Sequence, residues 1–299
     1  MPETGAPVTF EPEPHIARLS PRMARLLALA LAALVLAFVV IAASQETKPF
    51  HVDAVTFAAS FAVGLLAQIV DGALGMGYGV TSNSLLLASG LPPAAATATV
   101  HVAKSFTGAA SGLSHWKLGN VDKRIFGRLI LPGIIGTLFG VHIVTSIDGN
   151  TLRPWISAYL LAMGIFILIR AFRTIRFASP DLRRLFPVAF IGGFADSVGG
   201  GGWGPVVTTT LVGSGHEPRT TIGSVNAAEF VISLASGLSF TMLIGIQHWE
   251  SVAGLVLGGV VIAPFAARLT HRLDRHTMMI AVGLLVSGLS LFSIFRACA

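Results

Sequence analysis

Charged residues and cysteines are both scarce in this sequence. Charged residues make up 11% of its 299 positions, whereas a soluble domain carries roughly 25%. Hydrophobic residues make up 53%, and the mean hydropathy is +0.77. Apolar runs near or above the roughly 18 residues that cross a bilayer recur along the chain, at 26–43, 54–70, 94–114, 129–147, 155–169, 222–247 and 277–295. The composition therefore excludes an ordinary soluble domain and predicts an all-α polytopic protein in contact with the lipid bilayer.

Several other features are also missing. Cys298 is the single cysteine, so no intrachain disulfide can form. The sequence has no nucleotide-binding P-loop and no H-E-x-x-H zinc-protease motif. Neither G-x-G is followed by the aspartate that intramembrane aspartyl proteases need. We therefore predict no catalytic residue, no cofactor, no metal site and no ATP-driven transport in this chain.

The net charge of +6 does not indicate nucleic-acid binding. Fifteen of the twenty Lys and Arg residues lie in four clusters that flank apolar runs, as charges that set membrane topology do. The clusters are Arg18, Arg22 and Arg25; Lys117, Lys123, Arg124 and Arg128; Arg170, Arg173, Arg176, Arg183 and Arg184; and Arg268, Arg272 and Arg275. No basic face remains for a nucleic acid, so the charge is expected to orient the protein in a membrane.

The first 51 residues differ from the rest. Residues 1–20 are rich in Pro, Glu and Thr and are expected to form a disordered cytoplasmic tail. The run 26–43 follows three arginines and ends near "AAS", so it reads either as a cleaved signal peptide or as an uncleaved helix. Its length favours the uncleaved helix.

A glycine-rich segment occurs twice, each time after an apolar run. "DGALGMGYG" at 71–79 and "DSVGGGGWG" at 196–204 align at an offset of 125 positions, as does "ASGLS" at 110–114 and 235–239. Such repeats define the architecture of a chain. We predict a tail and leader transmembrane helix over 1–51, a first membrane repeat over 52–171 and a second over 177–296.

The two repeats are expected to have inverted topology. Each crosses the membrane an odd number of times, whether the short segment after its glycines crosses or re-enters. With the N-terminus inside, the basic clusters at 117–128, 170–184 and 268–275 also fall inside, while the loops at 44–52, 148–153 and 246–250 fall outside with few basic residues. This pattern predicts a multi-pass protein of an inner membrane with a cytoplasmic N-terminus.

The glycine-rich segments are predicted to break their helices at a central substrate site. Unpaired backbone groups in hydrocarbon cost several kcal/mol each, so such breaks must line protein or water. Breaks at matching places of two inverted halves mark transporter sites, and a restarting helix turns N–H groups toward an anion. Tight packing through small residues is the alternative, and it is favoured for "ASGLS" and "GIIGTLFG". The candidate substrate-binding residues in these segments are Gly75, Gly77, Tyr78, Gly79, Ser82, Asn83, Gly200, Gly202, Trp203 and Gly204.

Buried ionisable residues give the second set of candidates, because such groups are costly in a membrane and usually functional. Lys104 is expected to meet a buried anion, with His101 and Asn226 as further contacts on neighbouring helical faces. A structural ion pair of Lys104 with an acid is the alternative. His101 could also carry a coupling proton, and the principal candidates for that role are Asp71, Asp196 and Glu229. His115, at the end of its span, is expected at the membrane interface.

These segments, together with "GLPPAAATATVHVAKSFTGAASGLSHWKLGNVD", resemble the TauE/SafE family of sulfite exporters over about residues 57–296. The resemblance implies a gradient-driven carrier for sulfite, organosulfonates or related small anions. Met76 and Tyr78 stand between glycines in the first break, which departs from the family's usual glycine run. The resemblance and the candidate residues together predict a proton-coupled exporter that works by alternating access. The alternative is a permease or channel for another small anion, such as a carboxylate. The sequence leaves the oligomeric state open.

Overall fold

The computed structural model describes residues 53–172, 185–214, 216–246, 248–269 and 275–298, and all regular structure in these ranges is helical. The first half comprises α1 (Ala54–Leu74), α2 (Tyr78–Ala88), α3 (Pro93–Lys117), α4 (Lys123–Ser146) and α5 (Gly149–Ala171). The second comprises α6 (Leu185–Gly199), a π-helical turn (Gly204–Thr208), α7 (Thr209–Gly213), α8 (Pro218–Ile244), α9 (Trp249–Leu269) and α10 (Arg275–Cys298). The predicted tail and leader helix lie outside the described residues.

Four of these helices are long and apolar enough to cross a membrane: Ala54–Asp71 within α1, and the whole of α4, α5 and α8. Shorter apolar stretches occupy α6, α9 and α10. Helix α2 has 11 residues, which corresponds to about 16 Å at 1.5 Å per residue. That length is about half of the roughly 30 Å hydrocarbon core, so α2 cannot cross a bilayer alone.

Acidic residues start several of the helices. The carboxylates of Asp53, Asp122, Asp148 and Glu217 accept hydrogen bonds from backbone N–H groups in the first turns of α1, α4, α5 and α8 respectively. Side-chain acceptors at this position satisfy N–H groups that have no partner within the helix. In "GNVD", the terminal aspartate therefore has a structural role as the N-cap of α4.

Both glycine-rich segments interrupt helical structure. Helix α1 ends at Gly75 (φ 67°), and Gly77 (φ 120°) precedes the start of α2. Helix α6 ends at Gly199, and Gly200 has a φ of 68°. Glycine adopts these positive φ values without the steric cost that other residues meet.

The two interruptions lie directly against each other. A Cβ atom at Gly79 would collide with the carbonyl oxygen of Gly200, and one at Gly204 would collide with the carbonyl oxygen of Gly75. Two side chains reinforce this contact: Asn83 Nδ2 donates to Gly199 O at 2.6 Å, and Thr208 Oγ1 donates to Gly75 O at 2.7 Å. Asn83 and Thr208 are 125 positions apart, so equivalent residues hold the end of the helix in the opposite half.

The two halves pack mainly on each other. Helix α1 packs on α9, and α6 packs on α4; α3 contacts α9, and α8 contacts α4. Small residues allow the close approach, since a Cβ atom at Gly136 or Gly258 would collide with the carbonyl oxygen of Phe190 or Phe61 respectively. Gly136 belongs to "GIIGTLFG", so this motif serves packing.

Helices in corresponding positions of the two halves run antiparallel. Along the α3–α8 contact, a Cβ atom at Gly112 would lie beside Ala227, one at Gly108 beside Phe230, and one at Gly237 beside His101. Along α5–α10, a Cβ atom at Gly164 would lie beside Ser287 and one at Gly283 beside Leu168. Residue numbers rise on one helix as they fall on its partner in both pairs.

The contact between the interruptions predicts an effect of a single methyl group. We expect Gly79→Ala to lower the melting temperature of the detergent-purified protein, because overpacking against backbone typically costs about 1–3 kcal/mol. The matched control is Gly127→Ala in α4, where a Cβ atom meets nothing within 4 Å. That change should leave the melting temperature unaltered or raise it. Equal melting temperatures of the two variants would contradict the close contact.

Candidate functional site

Lys104 of α3 lies at the centre of a buried ionic cluster. Its Nζ atom lies 2.9 Å from Asp196 Oδ1, 3.0 Å from Asp196 Oδ2 and 2.6 Å from Glu229 Oε1. Lys104, Asp196 and Glu229 are 3%, 0% and 5% exposed. Because Asp196 lies in the last turn of α6 and Glu229 lies in α8, one ammonium group joins three helices.

The aspartates that precede the two interruptions bind the N–H groups that follow them. Asp196 Oδ1 accepts from the backbone N–H groups of Gly202 at 2.8 Å and Trp203 at 3.2 Å. Asp71 Oδ1 accepts from the N–H group of Tyr78 at 3.4 Å. We expected these N–H groups to face a free anion. The carboxylates of the chain itself take that place, because each aspartate lies one turn before the break and its side chain reaches across it.

His101 adds a second contact between α3 and the end of α6. Its Nε2 atom lies 3.0 Å from the carbonyl oxygen of Asp196, and its Nδ1 atom lies 3.8 Å from the Asp196 carboxylate. The ring stacks on Phe240, with 5.9 Å between ring centroids. His101 thus holds Asp196 in position and is itself fully buried.

A small cavity adjoins the ionic cluster. Five of the residues that line it are candidates from the sequence: Asp71, Tyr78, Lys104, Asn226 and Glu229. Four others line it without having been predicted: Gln68, Thr107, Gly108 and Ser111. The structure therefore brings together candidates from both halves of the chain at one cavity.

Other candidates do not line the cavity. Ser82 is buried in α2, and Asn83 is engaged with Gly199 O. Trp203 is fully buried and donates from Nε1 to Val225 O at 3.1 Å. The glycines Gly75, Gly77, Gly79, Gly200, Gly202 and Gly204 form the two interruptions and their mutual contact.

Helical spacing could have identified the residues that the sequence reasoning missed. Gln68 precedes Asp71 by three positions, and Thr107 and Ser111 follow Lys104 by three and seven, so each pair shares a helical face. His115 lies in the last turn of α3, at the end of its span as expected, but it is buried within the protein. Its side chain is 1% exposed and lies near Asn226, because the "GNVD" loop and the start of α8 cover the end of α3.

The ionic cluster predicts a stability effect of removing its cation. We expect Lys104→Met to lower the free energy of unfolding by about 3–5 kcal/mol, because two carboxylates then lack their buried partner. Adding Asp196→Asn should recover part of this loss, since the amide oxygen still accepts from Gly202 and Trp203. Lys123→Met at an exposed position is the control. A double variant no more stable than Lys104→Met alone would contradict the pairing.

Comparisons with known proteins show which family the chain belongs to. The family model "Sulfite exporter TauE/SafE" matches residues 60–292. A "Probable membrane transporter protein YtnM" of Bacillus subtilis is 42% identical over 230 residues, covering 74% of this chain and 77% of its own length. A "Probable membrane transporter protein" of Haemophilus influenzae is 24% identical over 222 residues, covering 68% and 83%.

A plant relative carries the name of the same family. "Sulfite exporter TauE/SafE family protein 3" of Arabidopsis thaliana is 30% identical over 104 residues, which cover 35% of this chain and 22% of that protein. No solved structure matches the chain significantly. The family match spans both halves, the glycine interruptions and the ionic cluster. The chain is thus a membrane transporter of the TauE/SafE family.

Proposed function

We propose that this protein is a secondary transporter that exports a small anion, sulfite or an organosulfonate, together with protons and by alternating access. The observation that carries this proposal is the cavity beside Lys104, which residues from both halves line. The proposal places the protein in an inner membrane with its N-terminus in the cytoplasm, as the distribution of basic residues favours.

The packing of the two halves supports inverted repeats over 52–171 and 177–296. Helices α3 and α8, which correspond across the 125-position offset, run antiparallel, and so do α5 and α10. Equivalent helices run in opposite directions when two repeats are related by an axis in the membrane plane. In such transporters one repeat rocks against the other around a site near the midplane. We assign this role to the cavity, which residues of both halves line.

The charges around the cavity favour coupling to protons. Lys104 contributes one positive charge, and Asp71, Asp196 and Glu229 contribute three negative charges when they are ionised. An anion entering this site meets net repulsion unless carboxylates take up protons. Burial of unbalanced charge is costly in a membrane, so anion and protons are expected to enter and leave together.

The three carboxylates differ in their surroundings, which assigns them different roles in the proposal. Asp196 accepts from Lys104 and from two backbone N–H groups, so we assign it a fixed charge that positions Lys104. Glu229 and Asp71 line the cavity. We assign the exchangeable protons to these two residues.

Protonation of Glu229 also provides a way to bind the anion. Lys104 has three N–H donors, and Glu229 Oε1 lies 2.6 Å from its Nζ atom. When Glu229 becomes neutral, its attraction for the ammonium group falls and one donor turns to the substrate. Protonation of Glu229 thereby allows the transported anion to replace the Glu229 carboxylate as a partner of Lys104.

Flux measurements in proteoliposomes test the proposal. We expect sulfite and an organosulfonate to be transported with saturable rates that follow an imposed pH gradient, and acetate and lactate to be transported poorly. Protein-free vesicles provide the background. Flux of the carboxylates alone would contradict the substrate assignment. Flux that rises linearly with concentration would indicate a channel.

Variants of the cavity carboxylates test the coupling. We expect Glu229→Gln and Asp71→Asn to retain anion exchange across vesicles with the same anion on both sides, because exchange requires no net proton movement. Both variants should lose accumulation driven by a pH gradient. Glu250→Gln, which lies at the start of α9 outside the cavity, is the control for an acid removed elsewhere. Undiminished pH-driven accumulation in both variants would exclude these carboxylates as the proton carriers.

A further inference from the structure

A chain of polar contacts runs from the surface of the protein to the cavity. It begins at the exposed Arg219 and continues through Asn120, His115 and Asn226 to Ser111. Asn120, His115, Asn226 and Ser111 are 3%, 1%, 0% and 1% exposed. Asn226 and Ser111 line the cavity, so the chain connects the "GNVD" loop with the candidate binding site.

Arg219 fixes the orientation of the first amide. Its Nε atom lies 2.6 Å from Asn120 Oδ1. A guanidinium group can only donate hydrogen bonds, so the atom facing it must be the amide oxygen. The NH₂ group of Asn120 therefore faces His115 Nδ1, 3.2 Å away.

Asn120 in turn fixes the tautomer of His115. Because the Asn120 NH₂ group donates to Nδ1, this nitrogen is an acceptor and the neutral ring carries its proton on Nε2. That Nε2–H group points at the carboxamide of Asn226, at 3.4 Å. The tautomer follows from the partners of the ring, as it commonly does for histidine.

The tautomer decides which way the Asn226 amide turns. Exchanging the oxygen and nitrogen of a carboxamide by a flip hardly changes its shape, so the assignment must follow its hydrogen bonds. With nitrogen toward His115, two donors face each other and the buried Asn226 Oδ1 has no partner. With oxygen toward His115, it accepts from Nε2–H and from the Ser111 hydroxyl, 3.3 Å away. The second orientation removes the clash of donors and leaves the buried NH₂ group, at the position now given to Oδ1, without a partner in the protein.

We propose that His115 is a positioning residue that turns the NH₂ group of Asn226 away from Ser111 and His115, so that it donates to the anion in the cavity. The inference rests on the anion-transport function proposed above. Asp196 holds Lys104 through both carboxylate oxygens, so protonation of Glu229 frees one Lys104 donor for the anion, and the anion requires a second donor. A neutral amide supplies this donor, whereas an amide oxygen in the same place repels the anion. The Arg219–Asn120–His115 chain maintains the favourable orientation.

Kinetics with sulfite as the probe separate this role from a merely structural one. We expect His115→Phe to raise the KM for sulfite about tenfold with little change in kcat, because a hydrogen bond to a charged ligand is lost. Asn226→Ala should raise KM to a similar extent, and the double variant should be no worse than Asn226→Ala alone. Additive effects of the two changes would overturn the proposal. His142→Phe, at an exposed position of α4, is the control for replacement of a histidine.

A change at the protein surface covers the case in which His115→Phe does not fold. Arg219→Gln alters an exposed side chain and releases Asn120, so it should also raise the KM for sulfite, and only when Asn226 is present. An unchanged KM in Arg219→Gln would contradict the proposal that Arg219 orients the Asn226 amide through Asn120 and His115.

Nitrogen NMR of the imidazole rings provides a readout that does not depend on transport. We expect His115 in the native protein to give the signals of a neutral ring protonated at Nε2, and Arg219→Gln to change them. A ring protonated at Nδ1 would overturn the proposal whatever the flux. Absence of sulfite flux in the native protein, with the Nε2–H tautomer observed, would instead remove the proposed substrate and leave the orientation of Asn226 standing.

Discussion

The ion pair between Lys104 and Asp196 is the interaction on which the rest of the site depends. It is buried in the protein, where unpaired charge is costly, and it links α3 to the last turn of α6 at 2.9 Å. The same Asp196 carboxylate holds the N–H groups that follow the second interruption. One contact therefore determines both the position of the buried cation and the shape of the backbone beside it. Glu229 completes the arrangement from α8 and connects it with the cavity.

The backbone of the site is more symmetric than its chemistry. Asn83 and Thr208 hold equivalent helix ends in opposite halves, and Tyr78 and Trp203 are equivalent buried aromatic residues. At the next level the halves diverge, because Lys104 corresponds to Glu229 in the alignment of the repeats. The scaffold provides two matching interruptions, and this difference in side chains places positive charge against Asp196 and an additional carboxylate at the cavity. The two sides of the site therefore carry different charges, although the two glycine interruptions are alike.

Much of the helical architecture could be predicted from the sequence, because a lipid bilayer limits the structures that a chain can adopt within it. Apolar length predicts helices, repeated glycines predict interruptions, and buried charges such as Lys104 and Asp71 must meet partners or water. Details that depend on tertiary contacts were not predictable. Asp196 bonding to Gly202 and the burial of His115 both arise from parts of the chain that fold over each other. Helical spacing places Gln68, Thr107 and Ser111 on the faces of Asp71 and Lys104, but spacing alone does not separate them from hydroxyl and amide side chains that serve ordinary packing between membrane helices.

The pairing of Lys104 with Glu229 has a consequence for the symmetry of the site. The two residues lie 125 positions apart in the aligned segments, and their charged groups lie 2.6 Å from each other. Two identical copies of one segment would place the same residue at both positions. Two buried lysines or two buried glutamates would repel each other at this distance. The buried ion pair therefore requires the two halves of the chain to differ here, and no symmetric pair of identical halves could form it.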